Sequence, residues 1–151
     1  MGNTKSIGVA YSDQDIDGGT IGAVTPATVV GTTVYATTEI GYTAAAQGTV
    51  TQATSKSTGV TLSKSAGRIT MNGAALAGST AVSFTLTNTL ISTNDILILC
   101  VSGGSVADAT TYTAYVSSLA AGSAVITLRN LTATSQSEAV IINFSIIHGA
   151  S

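Results

Sequence analysis

Residues 81–88, AVSFTLTN, alternate apolar and polar side chains more regularly than any other part of the chain. Successive side chains of an extended strand point to opposite faces, so the alternation places an apolar row on one face and a row of hydroxyls on the other. The apolar row consists of Val82, Phe84 and Leu86. This segment therefore predicts a β-strand whose inner face lies on a hydrophobic core.

Similar segments lie on both sides of this strand, at the short spacing typical of an all-β domain. Turn-forming pairs such as Asn72-Gly73 and Ala121-Gly122 separate them, and residues 65–67 are predicted as a tight connection in which Gly67 supplies a positive φ. The predicted strands cover residues 48–52, 58–64, 68–72, 81–88, 96–102, 111–117, 124–130 and 138–148. Seven or eight strands with short turns predict an all-β fold, an antiparallel β-sandwich of the jelly-roll type.

Residues 96–102, ILILCVS, are apolar on both faces of the predicted strand. Such a strand is either central in its sheet or covered by a neighbouring subunit. Cys100 lies within it, and we expect a small buried core residue there. Because Cys100 is the only cysteine, a disulfide within the chain is excluded.

The first 47 residues differ from the rest of the chain in composition. They are rich in Gly, Thr and Ala, they hold the only proline, Pro26, and their apolar residues alternate only briefly. A segment of this kind cannot form a core of its own. We therefore predict an extended N-terminal arm or stalk over residues 1–47 and a β-sandwich head over residues 48–151.

Charged side chains are scarce, because Asp, Glu, Lys and Arg make up only 8% of the chain, against roughly a quarter of an ordinary globular protein. The mean hydropathy is +0.45. The outer rows of the predicted strands carry Ser, Thr and Ala in place of the charges that usually keep edge strands apart. Obligate subunit interfaces bury surfaces that are poor in charged side chains. We predict a homotrimer, because three arms can wrap a common axis.

Several function classes are excluded by the distribution of charge and hydropathy. The basic residues are scattered, so we expect no nucleic-acid partner. They are Lys5, Lys56, Lys64, Arg68 and Arg129. No apolar stretch approaches the roughly 18 residues that a membrane-spanning helix needs. Aspartates at 13, 15 and 17 stand where the apolar core of a signal peptide would lie, so we expect assembly in the cytoplasm.

The chain carries little that resembles a chemical site. Residues 13–18, DQDIDG, open like a calcium loop, but Val24 stands at the twelfth position, where a bidentate glutamate belongs. We therefore expect a solvated acidic patch and no metal site. Paired carboxylates and a Ser-His-Asp set are not apparent. The sequence predicts that the protein is not an enzyme and uses no cofactor.

Two charged pairs and one histidine can be considered in the predicted head. Arg129 and Glu138 flank one loop, and we expect a cross-strand ion pair between them. Arg68 is an open candidate partner for Asp95. His148, the only histidine, is expected on the surface or in an interface.

Two long segments resemble a β-head module of bacteriophage virion proteins. Residues 50–77, VTQATSKSTGVTLSKSAGRITMNGAALA, resemble its start, and residues 126–151, ITLRNLTATSQSEAVIINFSIIHGAS, resemble its close. With the strands between them, the resemblance covers about two-thirds of the chain. Residues 18–27, GGTIGAVTPA, are similar to short segments of phage fibre and spike stalks.

The resemblance implies a structural, non-catalytic viral protein of a tailed phage, and such modules are typically homotrimers. Because the chain is short and has no repetitive shaft, a capsid decoration (cement) protein is favoured, bound to the phage major capsid protein on the surface of the virion. The alternative is a tail fibre, spike or receptor-binding appendage that contacts a host-surface glycan.

Specific residues are predicted to carry these contacts. We expect the arm to meet the capsid through Tyr11, Ile16, Ile21 and Val24. We expect the subunit interface of the trimer to include Tyr112, Tyr115 and Ile147. Tyrosine suits this role because it is enriched in protein interfaces.

Overall fold

The computed structural model describes residues 31, 33–103 and 111–149, and one compact unit begins at Ile40. A single turn of 3-10 helix, Ala44–Ala46, precedes the first strand. Within the described residues the strands are β1 (Gln47–Thr51), β2 (Val60–Thr61), β3 (Ala66–Thr70), β4 (Ala81–Thr87), β5 (Ile96–Gly103), β6 (Tyr112–Ala120), β7 (Ser123–Asn130) and β8 (Ile141–Ile147). In this part of the chain, no helix is both long and apolar enough to cross a bilayer.

The strands form two four-stranded sheets, so the predicted all-β sandwich is confirmed. One sheet has the order β1-β3-β8-β5, and the other has the order β2-β4-β7-β6. The pairs β3–β8, β5–β8, β4–β7 and β6–β7 are antiparallel. We call the first the front sheet and the second the back sheet.

Two strand pairs depart from the predicted antiparallel arrangement. β1 runs parallel to β3 in the front sheet, and β2 runs parallel to β4 in the back sheet. β1 and β3 lie in the front sheet and β2 and β4 in the back sheet, so the chain alternates between the sheets along these four strands. Each sheet combines one parallel pair with two antiparallel pairs, so both sheets are mixed.

The core is built from the inward rows that the alternating pattern predicts. In β4, Phe84 is 2% exposed and Leu86 is fully buried, whereas the hydroxyl row faces outward. Phe84 stands opposite Ile126 of β7, which is also fully buried. Full burial of one such side chain contributes about 1.5–3 kcal/mol. The same alternation holds along β8, where Ile142, Phe144 and Ile146 point inward.

The structure rules out the first of the two alternatives for residues 96–102, because β5 is the last strand of the front sheet and not a central one. The other alternative, a strand covered by a neighbouring subunit, stays a prediction. β8 occupies the interior position instead, between β3 and β5. The inward row of β5 begins with buried Leu97, and the outward row contains exposed Ile96 and Ile98. Cys100 belongs to that outward row and is exposed, so the expectation of a buried cysteine is also wrong.

Two glycines have different roles. Gly122 adopts φ 78° in the turn between β6 and β7, as its predicted turn requires. Gly67 lies within β3 and not in a connection, which corrects the prediction for residues 65–67. A Cβ at Gly67 would come within 2.6 Å of both Leu62 and Phe144. Gly67 is therefore required by close packing beneath the ring of Phe144.

Buried amide side chains fasten the loops at the strand ends. Asn130 is fully buried, and its amide nitrogen donates to the carbonyls of Leu76, Ala77 and Thr134 at 2.8–3.2 Å. Its oxygen accepts from the backbone and the hydroxyl of Thr132. All buried side-chain nitrogen and oxygen atoms of the described residues have a partner. Asn130 thereby links residues 76–77 to residues 132–134.

The predicted ion pair between Arg129 and Glu138 does not form. The Glu138 carboxylate accepts a hydrogen bond from the Tyr112 hydroxyl instead. The ammonium of Lys56, which is 3% exposed, donates to the carbonyl oxygens of Asn72 and Glu138. Burial lowers the pKa of Lys56, and the nearby Glu138 charge opposes that shift. These contacts close one end of the sandwich.

Candidate association surface

Three isoleucines form an exposed apolar patch on the outer face of the front sheet. Ile96 of β5 stands directly opposite Ile147 of β8, and Ile98 lies two residues further along β5. The exposed fraction is 61% for Ile96, 49% for Ile98 and 51% for Ile147. Single exposed apolar residues are ordinary, whereas a contiguous group marks a binding surface. We call Ile96, Ile98 and Ile147 the isoleucine patch.

The isoleucine patch lies on an unprotected sheet edge. No described strand pairs with the outer side of β5, which leaves its backbone donors and acceptors on that side available. Natural edge strands are usually protected by Lys, Pro or inward-pointing charges. The sequence of β5, ILILCVSG, contains none of these. The edge and the patch together form a surface suited to a second polypeptide.

A hollow of about 380 Å³ adjoins the isoleucine patch. Its lining residues are Ile40, Gly41, Tyr42, Ile98, Ser145, Ile146 and Ile147. β3 begins opposite Ser145, so the last residues of β8 extend beyond it. There the Tyr42 hydroxyl donates to the carbonyl oxygen of Ile146. This contact fixes one wall of the hollow.

A buried carboxylate anchors the chain next to the patch. The side chain of Asp95 is only 1% exposed and accepts from the backbone and hydroxyl of Ser92, each at 2.8 Å, and from the Gly149 backbone at 3.0 Å. The His148 ring nitrogen Nδ1 lies 3.1 Å away. The Ser92 backbone N–H, followed by the other donors, lowers the pKa of Asp95 to about 2 against the opposing effect of burial. Asp95 is thus occupied by these partners and not by Arg68.

The residues predicted for the subunit interface lie in different environments. Tyr112 is 4% exposed and packs inside the sandwich, where burial and Glu138 raise the pKa of its hydroxyl. Tyr115 and Ile147 are 49% and 51% exposed. They lie on the outer faces of opposite sheets, so the fold does not bring them together within one chain. The interface role of Tyr112, Tyr115 and Ile147 stays a prediction.

The predicted arm contacts lie outside the described residues. These are Tyr11, Ile16, Ile21 and Val24. The acidic segment 13–18 also lies outside them. The described residues before Ile40, namely 31 and 33–39, are exposed and form no helix or strand.

The sequence leaves two alternatives for Ile96 and Ile98, a central strand or a strand covered by a neighbouring subunit. The signal for the covered strand was present, because residues 96–102 are apolar on both faces, but a central strand gives the same signal. In 33–103 and 111–149, no group of three or more His, Cys, Asp or Glu side chains could hold a metal ion.

Comparisons of the chain with protein-family models, with curated proteins and with solved structures find no match.

Proposed function

We propose that the protein is a structural subunit of a phage virion, a homotrimeric capsid decoration protein that cross-links coat subunits. The observation that carries this proposal is the isoleucine patch, of which Ile96 and Ile98 lie on an edge strand without a protecting charge and Ile147 lies on the neighbouring strand β8. The resemblance of residues 50–77 and 126–151 to phage β-head modules supports the phage assignment. The low content of charged residues supports a chain that buries its outer surface.

The free energy gained by burying the isoleucine patch is too small to hold copies together without other contacts. Burying the exposed half of one isoleucine is worth about 1 kcal/mol, so the three contribute about 3 kcal/mol per copy. Association costs an estimated 4–15 kcal/mol in lost freedom. Backbone pairing along the free edge of β5 adds about 0.5–1.5 kcal/mol for each hydrogen bond. A stable assembly therefore needs both the patch and the edge, or the patch and the arms.

A closed ring with threefold symmetry is made from two different surfaces on each copy. The isoleucine patch lies on the outer face of the front sheet, and Tyr115 lies on the outer face of the back sheet. The patch of one copy is thus free to meet the Tyr115 side of the next. The positions of Ile147 and Tyr115 on the outer faces of different sheets are therefore compatible with a trimer.

Attachment to the capsid follows from multivalency. In the proposal, residues 1–47 of each copy reach the coat, and three weak contacts joined to one head add up to strong avidity. Because such a ligand binds only the assembled shell, it stabilises the shell by mass action. The arm residues named above remain predictions from the sequence.

Capsid binding tests this proposal directly. Purified full-length protein is mixed with phage capsids that were assembled without it, and bound protein is measured after sedimentation together with the temperature at which the capsids open. We expect saturable binding and a higher opening temperature. Adhesion to host cells without capsid binding would replace the proposal with the appendage function, and binding to neither would reject both.

A further inference from the structure

A second hollow on the outer face of the front sheet has a different character from the isoleucine patch. Its volume is about 570 Å³. Its lining residues are Tyr42, Gln47, Gly48, Thr49, Ala66, Gly67, Arg68, Asn143 and Phe144. We call it the polar hollow. It lies on β1, β3 and β8, and Tyr42 separates it from the hollow next to the patch.

Strand register arranges the side chains of the polar hollow in two rows. Thr49, Arg68 and Asn143 stand side by side on three adjacent strands and point outward. Strand spacing of about 4.8 Å spreads this row over about 10 Å. Gln47 and Ala66 form the next row, and the small side chain of Ala66 keeps the floor low. The result is a shallow depression with polar groups along one side.

The polar groups of this row have no partner among the described residues. Among the described residues, the side chains of Arg68, Asn143 and Thr49 make no hydrogen bond or ion pair, and the three are exposed. The lining of the hollow contains no acidic side chain. Within the part of the chain that the structure describes, Arg68 is thus a cation without a local counter-charge. Its guanidinium has the planar geometry that binds a carboxylate through two hydrogen bonds.

We propose that the polar hollow binds a saccharide that carries a carboxylate, which goes beyond the proposed structural function. The Arg68 guanidinium meets the carboxylate. The Asn143 amide and the Thr49 hydroxyl both donate and accept, which suits the hydroxyl groups of a sugar ring. The ring of Tyr42, whose residue is 37% exposed, offers an apolar surface to the C–H groups of the sugar.

Two features favour an acidic sugar over an acidic peptide. An extended peptide binds a sheet by pairing with the backbone of an edge strand. The Arg68–Asn143 pair instead belongs to β3 and β8, both of which have neighbours on each side. Neutral amide and hydroxyl groups next to the cation also match a ligand that carries several hydroxyl groups and one charge.

A matched pair of ligands tests the proposal on the full chain. Methyl β-D-glucuronide and methyl β-D-glucoside share one ring and differ in the carboxylate. Each is titrated into the millimolar range against ¹⁵N-labelled protein, and amide shifts are followed by NMR. We expect the glucuronide alone to shift residues of the polar hollow, and Arg68→Gln to weaken its binding at least about tenfold, because a hydrogen bond to a charged group is worth about 1.5–3 kcal/mol.

The control variant is Arg129→Gln, because Arg129 is an exposed arginine on the back sheet that also lacks a hydrogen bond or ion pair among the described residues. It should leave glucuronide binding unchanged. Equal binding of the glucoside, equal loss in both variants, or no shift with either sugar would overturn the proposal. Equal affinity for acetate or for the peptide Gly-Glu-Gly would also overturn it, in favour of a general carboxylate site. None of these results bears on capsid binding, so this proposal and the structural one can fail separately.

Discussion

β4 and β5 each contribute an apolar row of side chains to the core, but the side chains on their outward rows differ. Both direct an apolar row into the core, with Phe84 and Leu86 on β4 and Leu97 on β5. The outward row of β4 carries hydroxyls and lies on a strand with neighbours on both sides. The outward row of β5 carries Ile96 and Ile98 on a strand whose outer side no described strand covers. The inner rows are sufficient to explain folding, so the apolar outer row of β5 requires a second explanation, for which we propose association.

The largest expected effect separates the inner row from the outer row. Leu86→Ala should reduce the free energy of unfolding by about 2–5 kcal/mol, because it leaves a cavity at a fully buried position. Thr85→Ala, on the outward face of the same strand, should change it by less than about 0.5 kcal/mol. Urea denaturation measures both variants. Similar losses of unfolding free energy in the two variants would show that the inner and outer rows contribute equally to stability.

The loops should depend on buried amides and not on exposed ones. Asn130→Ala leaves the carbonyls of Leu76, Ala77 and Thr134 without their donor, so we expect a loss of about 1–3 kcal/mol in unfolding free energy. Asn143→Ala is the matched control, because that side chain is exposed and forms no hydrogen bond within the described residues. An equal effect of the two substitutions in urea denaturation would contradict the role given to Asn130.

Acid should weaken the anchor next to the isoleucine patch. The folded-state pKa of Asp95 is about 2, below its ordinary value of 3.8. Its carboxylate therefore contributes stability above pH 3.8, and that contribution is lost as the pH falls through about 2. Unfolding free energy measured against pH should fall in this window. Asp95→Asn should be less stable at neutral pH and should show a shallower fall, and an unchanged acid profile would contradict the role of Asp95.

The smallest expected effect is a change in the rate at which a thiol reagent labels Cys100, with no change in the stability of the fold. Cys100 is exposed on the outward row of β5, two residues from Ile98. If a second copy covers this edge, a thiol reagent should label Cys100 slowly at high protein concentration and faster on dilution. Labelling at one fast rate over the whole dilution series would show that the edge of β5 stays open.

The sequence was sufficient to predict the inward rows because side-chain alternation is a local property of a strand. The apolar sets of β4 and β8 follow directly from their spacing. The same alternation does not say which strands are neighbours, so residues 96–102 were compatible with both a central and an edge position. The parallel pairs β1–β3 and β2–β4 were missed for the same reason, since they depend on where the chain crosses between the sheets.

Polar contacts between distant residues were the other part that the sequence did not reveal. Asn130 bonds Leu76 and Ala77, and His148 reaches Asp95, across more than fifty residues of chain. The expected Arg129–Glu138 pair failed because Tyr112 provides the Glu138 carboxylate with a hydrogen bond inside the sandwich. Proximity in sequence is a poor guide to partners when the loops fold back over the ends of the sheets.

The most direct test of the account is the mass of the native protein, measured by light scattering over a dilution series. The wild-type chain should have three times the protomer mass of 14.9 kDa, whereas Ile98→Lys should have the protomer mass and an unchanged circular dichroism spectrum. Leu90→Lys, at a 43% exposed leucine in the loop between β4 and β5, should remain trimeric. A wild-type protein that has the mass of one protomer at every concentration would contradict the claim that β5 and its isoleucines form an association surface.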